Sequence, residues 1–228
     1  MGRTSDILRF VNSARSFLFW QRSKSIASAW FLTPYLTQEQ RQPIVLSGDP
    51  VRYGTIRLAF EQIARDNITG AIAECGVFKG QLSTFLHQTA PDRSLYLFDT
   101  FEGFDSRDSD TAGDSRFRDT SEESVLRRIG DTRNVIVRKG YFPESAAGMD
   151  KERFAFIMID FDKYDPTCSA LQFFYPLVNK GGFVFVHDYT SPESNWACSR
   201  ALNEFLKDKP EQPMLIPDAW GSAFFRKI

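Results

Sequence analysis

Gly70-Ala71-Ile72-Ala73-Glu74-Cys75-Gly76-Val77-Phe78-Lys79-Gly80 reads as a short apolar strand that runs into an acidic, glycine-punctuated turn and then a helix. A turn of this form presents backbone amides at a helix N-terminus, which suits a nucleotide cofactor. A dinucleotide requires Gly-x-Gly-x-x-Gly, because its second glycine lets the pyrophosphate lie against bare backbone. Here Val77 and Phe78 follow Gly76 and crowd that place. The loop between Gly76 and Gly80 therefore suits a ligand without phosphates. S-adenosylmethionine is such a ligand: its carboxylate can use amides at a helix N-terminus, while its ammonium and ribose want acidic partners. Glu74 is placed for the ammonium. Strand–turn–helix junctions also carry glycine for steric reasons alone, so the turn needs a second element beside it.

That element is Ser94-Leu95-Tyr96-Leu97-Phe98-Asp99, the next strand, which ends in an acid 25 residues after Glu74. An acid at the end of the second strand is where a ribose diol binds; the competing role for Asp99 is a cap or turn. Beyond residue 70 strands and helices alternate, which predicts a parallel sheet covered on both faces. Strands are expected at 70–75, 94–99, 134–138, 154–159, 182–187, 213–217 and 222–226, and helices at 79–90, 121–129, 165–177 and 195–207. Only Asp218 to Gly221 joins the last two strands, too short for a parallel crossover, so they must form an antiparallel hairpin. The fold class is α/β and Rossmann-like, a seven-stranded mostly parallel sheet closed by that hairpin, which is the form of class I methyltransferases.

A third constellation carries chemistry. Phe156-Ile157-Met158-Ile159 ends in Asp160-Phe161-Asp162-Lys163-Tyr164, and Gly182-Phe183-Val184-Phe185-Val186 ends in His187-Asp188-Tyr189. Both clusters leave the carboxyl ends of strands, where open α/β sheets bind ligands. Side by side, such strands end ~5 Å apart, close enough for Asp160, Asp188 and His187 to share one divalent ion such as magnesium or manganese. The alternative for these groups is capping, or ion pairing with Lys163. The other histidine, His87, falls within the first helix after the cofactor loop and is read as structural.

The chain of 228 residues has 28 basic and 29 acidic side chains, so no global field steers it toward nucleic acid. Cys75, Cys168 and Cys198 are odd in number and widely spaced, which fits buried thiols in a reducing compartment. No stretch approaches the ~20 apolar residues of a membrane span, and no secretory leader is evident; a cytoplasmic protein is the expectation. Ile7, Leu8, Val11, Phe17, Leu18 and Trp20 recur at helical spacing among arginines, and Asp49-Pro50 caps a further helix to about Asp66. Residues 1–66 are thus expected to form a helical lid or dimerisation region, and residues 67–228 the cofactor-binding domain. The Asp-rich stretch from Glu102 to Thr120 reads as a solvated loop, with closure over an acceptor as its alternative.

Taken in order, Glu74-Cys-Gly-Val-Phe-Lys-Gly80, Asp99-Thr-Phe-Glu-Gly-Phe104, Lys139-Gly-Tyr-Phe-Pro-Glu-Ser145, Ile159-Asp-Phe-Asp-Lys-Tyr164 and Gly181-Gly-Phe-Val-Phe-Val-His-Asp-Tyr189 resemble the macrocin O-methyltransferase family. The resemblance spans residues 50 to 227. It implies S-adenosylmethionine as methyl donor and methylation of a hydroxyl on a small-molecule acceptor, a natural-product sugar or phenol, often with magnesium. It adds Thr100 and Phe101, beside Asp99, to the cofactor residues Glu74, Gly76 and Gly80, and places Asp160, His187 and Asp188 on the family's metal-binding acids. The chain departs from the family in having Phe161 where a glycine is common and His187 where an aspartate is. An imidazole in place of a carboxylate weakens the case for a hard ion.

The expected chemistry is direct methyl transfer from the sulfonium to an acceptor oxygen, with alignment and proton removal left to the protein. Two routes remove the proton: a metal held by Asp160 and Asp188, or His187 as general base at neutral pH. Other readings are a binding or scaffold protein on the same fold and, less favoured by the loop, a nicotinamide oxidoreductase. Trp20, Trp30, Phe31, Tyr35, Trp196 and Trp220 are expected mainly in core and interface, an aromatic acceptor pocket being the alternative. Tyr141 or Phe142, after the third strand, is a candidate to approach the adenine or the acceptor. A homodimer is expected from the aromatic N-terminal helix.

Overall fold

The computed structural model describes residues 37–108 and 114–228. The amphipathic stretch at 5–20 and Trp20, Trp30, Phe31 and Tyr35 lie outside the described residues. The chain divides into two compact units, one up to Gly54 and one from Thr55. In the first, α1 (Gln38–Leu46) opens on a capping box in which Thr37 and Gln40 exchange side-chain and backbone hydrogen bonds. Pro43 inside this helix hides it from a periodicity reading. The next helix, α2 (Pro50–Arg65), starts where the sequence predicts: the Asp49 carboxylate accepts the Arg52 amide at 3.1 Å and Pro50 takes the first turn.

The second unit is built on one sheet whose strands are β1 (Ala71–Cys75), β2 (Leu95–Asp99), β3 (Val135–Lys139), β4 (Phe154–Ile159), β5 (Val178–Val186), β6 (Met214–Ile216) and β7 (Ser222–Arg226). Their order is β3-β2-β1-β4-β5-β7-β6. The first five are parallel, and β7 runs antiparallel to both β5 and β6. Between them lie α3 (Gln81–Thr89), α4 (Glu122–Ile129), α5 (Tyr164–Phe174) and α6 (Ala197–Leu206). Every residue of β1 and β4 is buried, as continuous apolar strands covered on both faces require. Ala71, Ala73 and Cys75 share one face and one core with Leu171 and Phe174 of α5 and Ala201 and Leu202 of α6. On the opposite face Phe156 meets Phe60 of α2 at 4.9 Å and Phe185 at 5.2 Å between ring centroids.

Two expectations are corrected. Gly181-Gly182 reads as the start of a strand, but β5 begins at Val178 and α5 ends at Phe174. The glycines sit inside β5 at an irregularity, where the register with β4 jumps from Phe154↔Val178 to Phe156↔Phe183 and Gly181 takes φ +87°. Phe142 does not line a ligand site. It is buried against Phe98, Phe161, Phe173 and Phe174, with centroids 5.6–5.7 Å away.

This topology fixes where ligands can enter. From β1 the chain turns through α3 to β2 on one side, and from β4 it turns through α5 to β5 on the other. The loops after β1 and β4 therefore diverge and open a crevice at the carboxyl edge of the sheet. Because β7 pairs antiparallel with β5, its opening residue Ser222 and the turn before it reach the same edge. No helix among the described residues is long and apolar enough to cross a membrane.

Candidate active site

The crevice is floored by two backbone crossings. The Asp160 amide donates to the Cys75 carbonyl at 2.7 Å, and the Gly76 amide donates to the Phe98 carbonyl at 2.8 Å. Gly76, at φ +87°, lies against Asp160 so closely that a Cβ there would overlap the Asp160 carbonyl oxygen and stand 2.7 Å from its carbon. The glycine that the sequence reading gave to the cofactor thus also lets β1 and β4 end side by side, and so sets the position of Asp160. Gly80, at φ +72°, precedes α3 with Val125 of α4 against it. Glu74, one residue before the end of β1, is buried.

Asp99 ends β2, as expected, and its carboxylate holds the cofactor loop. Oδ2 accepts the Val77 and Phe78 amides at 2.7 and 2.9 Å, and Oδ1 accepts the Phe101 amide at 2.7 Å. The amides of Val77 and Phe78 are therefore engaged, and those offered to a ligand carboxylate are in the first turn of α3, which have no acceptor within the helix. A carboxylate has about four lone-pair positions, so three bonds leave Asp99 room for one hydroxyl donor from a ribose. Thr100 serves the turn: its hydroxyl donates to the Gly103 carbonyl at 2.7 Å and accepts the Glu102 amide at 3.2 Å. Phe101 is buried in the left-handed region at φ +56°.

Between β4 and β5 the structure brings together the three residues expected to hold a metal. One ligand atom from each of Asp160, His187 and Asp188 lies within 4.8 Å of the others. His187 Nδ1 is 2.9 Å from Asp160 Oδ1 and 3.4 Å from Asp188 Oδ1. Its Nε2 is 3.2 Å from the Ala219 carbonyl, which can only accept, so Nε2 carries a proton. With Nε2 protonated, Nδ1 donates to Asp160 Oδ1 when the ring is the imidazolium, and in the neutral ring its lone pair faces the same point as the two carboxylates, where a cation would sit. This donor set fits a divalent cation: two carboxylates and one imidazole, with an outer carbonyl orienting the ring. The mix of oxygen and nitrogen suits manganese or a softer ion better than magnesium.

Asp162, which the sequence reading passed over, belongs to the same cluster. Burial, followed by a side-chain hydrogen bond with Asp188, pushes its carboxyl well above the usual carboxylate range. Asp162 and Asp188 both take left-handed backbones, φ +62° and +55°. Such strain costs on the order of 1–3 kcal/mol per residue and collects where ligands bind.

The stretch expected to be solvated is tied down in its described part. Asp114 pairs with Arg116 at 2.9 Å and with the buried Lys163 at 3.2 Å, and Arg116 reaches Glu193 at 3.4 Å. Phe117 packs edge-on to Phe78 and Phe104 at 4.9 and 5.3 Å, while Thr120 donates to the Phe78 carbonyl and Lys79 pairs with Asp119 at 2.5 Å. Residues 114–120 therefore contact the loops after β1, β4 and β5. His87 is structural, as expected, with Nε2 2.9 Å from the Arg133 carbonyl. Tyr141 donates to Asp108 at 2.6 Å under the Arg107 guanidinium. Cys75 and Cys198 are buried free thiols, and Cys168 is half-buried. Trp196 and Trp220 are not core residues: both are half-exposed.

Residues 48–227 match the family model described as macrocin O-methyltransferase (TylF). The chain is 29% identical over 172 residues to demethyldecarbamoylnovobiocin O-methyltransferase from Streptomyces niveus, covering 68% of this chain and 64% of that protein. It is 26% identical over 174 residues to mycinamicin III 3''-O-methyltransferase from Micromonospora griseorubida, covering 68% and 67%. The matched region thus spans about two thirds of the length of these relatives. Among solved structures, the O-methyltransferase NovP superposes with a TM-score of 0.67 at 22% identity, over 78% of this chain and 80% of that one. The match covers the cofactor loop, the Asp99 turn and both strand-end acid clusters, and the chain belongs to the macrocin O-methyltransferase family.

Proposed function

We propose that this chain transfers the methyl group of S-adenosylmethionine to a hydroxyl of a small molecule, a sugar or phenol of the natural-product kind named for its relatives. The observation that carries the reading is the meeting, at one switch point of the sheet, of a glycine turn held by Asp99 and the Asp160–His187–Asp188 cluster. The donor supplies an electrophilic methyl group. Glu74 and the one remaining lone pair of Asp99 answer its ammonium and ribose, and the first turn of α3 answers its carboxylate. Asp160 has the most exposed side chain of the three, 23% against 7% for His187 and 11% for Asp188. It therefore meets the incoming hydroxyl and takes its proton as the oxygen attacks the methyl carbon. His187 orients Asp160 through Nδ1, and Ala219 orients His187 through Nε2.

A divalent ion bound by Asp160, His187 and Asp188 would acidify and orient the acceptor hydroxyl. Without one, the imidazolium form of His187 bridges the two carboxylates. Manganese titration followed by calorimetry separates the two states: saturable binding lost in D160N supports the metal, and no heat at any concentration removes it. A dimerising role for the N-terminal region and a cytoplasmic location are part of the same reading, and gel filtration with light scattering tests the first. The function itself is tested by incubating the protein with S-adenosylmethionine and a panel of glycosides and phenols. Mass spectrometry should find a product 14 Da heavier, and donor binding with no transfer to any acceptor would favour a binding protein instead.

A further inference from the structure

Trp196 and Trp220 are the two tryptophans among the described residues, and they share unusual features. Each is half-exposed, 50% and 51%, and each takes a left-handed backbone, φ +59° and +68°. Bulky residues rarely adopt that conformation, whereas glycine and asparagine take it at little cost. The turn containing Trp220 is bound to the active-site strand end at three consecutive carbonyls. His187 Nε2 donates to Ala219 at 3.2 Å, Thr190 Oγ1 to Trp220 at 3.2 Å and the Tyr189 amide to Gly221 at 2.7 Å. The Asp218 carboxylate takes both donors of Ser222 and closes the turn. These bonds use backbone and neighbouring side chains only, so a smaller residue at position 220 would keep them. Trp196 follows the same β5 end and opens α6, its amide donating to the Ser191 carbonyl at 3.4 Å.

We infer that Trp220 is a specificity-determining residue, the platform on which the acceptor's ring lies, with Trp196 on the same rim. The inference rests on the methyltransferase reading above. A half-exposed indole beside a polar cluster offers a flat apolar surface and one N–H donor, the combination that holds a ring by its face. The Asp160 and Asp188 carboxylates lie against His187, whose Nε2 donates to the carbonyl just before Trp220, so an anionic acceptor would meet like charge there and a neutral one would not. The acceptor class is therefore a neutral ring with one apolar face, met both in a deoxygenated sugar and in a phenol, rather than an acyclic alcohol or a phosphorylated sugar.

The test uses the full chain loaded with S-adenosylhomocysteine, with 15N-labelled tryptophan and the Trp220 indole resonance assigned from W220F. Methyl α-L-rhamnopyranoside, catechol, glycerol and glucose 6-phosphate are titrated in separate arms. A saturable shift of the Trp220 resonance with the rhamnoside or with catechol, and none with glycerol or the phosphate, is the expected result, and the responding arm tells sugar from phenol. Trp220→Asn relieves the backbone strain, so it should melt no lower than the parent while binding that ring about tenfold more weakly. A silent Trp220 resonance with every ring, equal shifts with the phosphate, or full ring binding by W220N overturns the platform. A W220N protein that melts lower would assign Trp220 to the fold instead. Calorimetry of S-adenosylhomocysteine on the same sample separates the two readings: no donor binding overturns the methyltransferase reading, whereas donor binding beside a silent Trp220 overturns the platform alone.

Discussion

Single atoms decide how the site is assembled, and Gly76 is the clearest case. A methyl group there meets the backbone of Asp160, not the end of a flexible side chain, and the φ of +87° adds its own cost. G76A should lose roughly 3 kcal/mol of stability, visible as a lower melting temperature, and an unchanged melting curve would contradict so close a crossing of β1 and β4. D160N keeps the shape of the site but removes the carboxylate proposed as proton acceptor. Turnover should fall by about 10²–10⁴-fold with donor affinity unchanged, checked by steady-state kinetics beside a binding titration. Asp99 makes the opposite prediction. D99A releases three loop amides, so donor binding should weaken more than about tenfold, and D99N should recover part of the loss because its amide oxygen still accepts. Asp99 and Asp160 were legible in the sequence because each ends an apolar run at a strand's carboxyl end. Asp162 was not, since its role depends on a left-handed turn that brings it to Asp188, a contact between residues 26 apart in the chain.

At the scale of elements, the alternation of strands and helices was readable because β1, β2 and β4 are apolar runs and α2, α3 and α4 open on a cap or a glycine turn. The Ser121 capping box of α4 and the Asp49 cap of α2 are local signals of this kind. The start of β5 is not legible locally, because Gly181-Gly182 reads as the start of the strand while serving as an irregularity within it. The ties of residues 114–120 were invisible for another reason: ion pairs such as Asp114–Lys163 join residues 49 apart, which no local pattern reports. The C-terminal strand offers an element-scale test. Burial pushes the Glu211 carboxyl up, but the Ile228 amide at 3.1 Å, the Tyr175 hydroxyl at 2.8 Å and the Lys227 ammonium at 3.0 Å outweigh it and hold the group at about 2, below its ordinary 4.5. A depressed folded-state value means that stability is fully present above 4.5 and is lost as the pH falls toward 2. Denaturant titrations across that window should show roughly 3 kcal/mol lost through this group. In E211Q that component of the pH dependence should vanish; an unchanged profile would place the acid sensitivity elsewhere.

Across the whole molecule, stability and strain are separated in space. The core runs through the sheet and its aromatic face. Of the ten non-glycine residues with positive φ among those described, Phe78, Phe101, Phe117, Asp162, Asp188, Asn195, Trp196 and Trp220 all lie in loops at the carboxyl edge of the sheet, and only Asn67 and Asn134 lie elsewhere. Strain of this sort persists where the surrounding structure over-determines it, and here it surrounds the crevice in which donor and acceptor would meet. The central claim is that this edge is a phosphate-free nucleoside site serving methyl transfer, and calorimetric titration tests it most directly. S-adenosylmethionine and NAD are titrated separately into the wild-type chain and into D99A. Saturable binding of S-adenosylmethionine to the wild type, weakened in D99A, with no heat from NAD, is the predicted result. Binding of NAD alone, or of S-adenosylmethionine equally to both proteins, would contradict it.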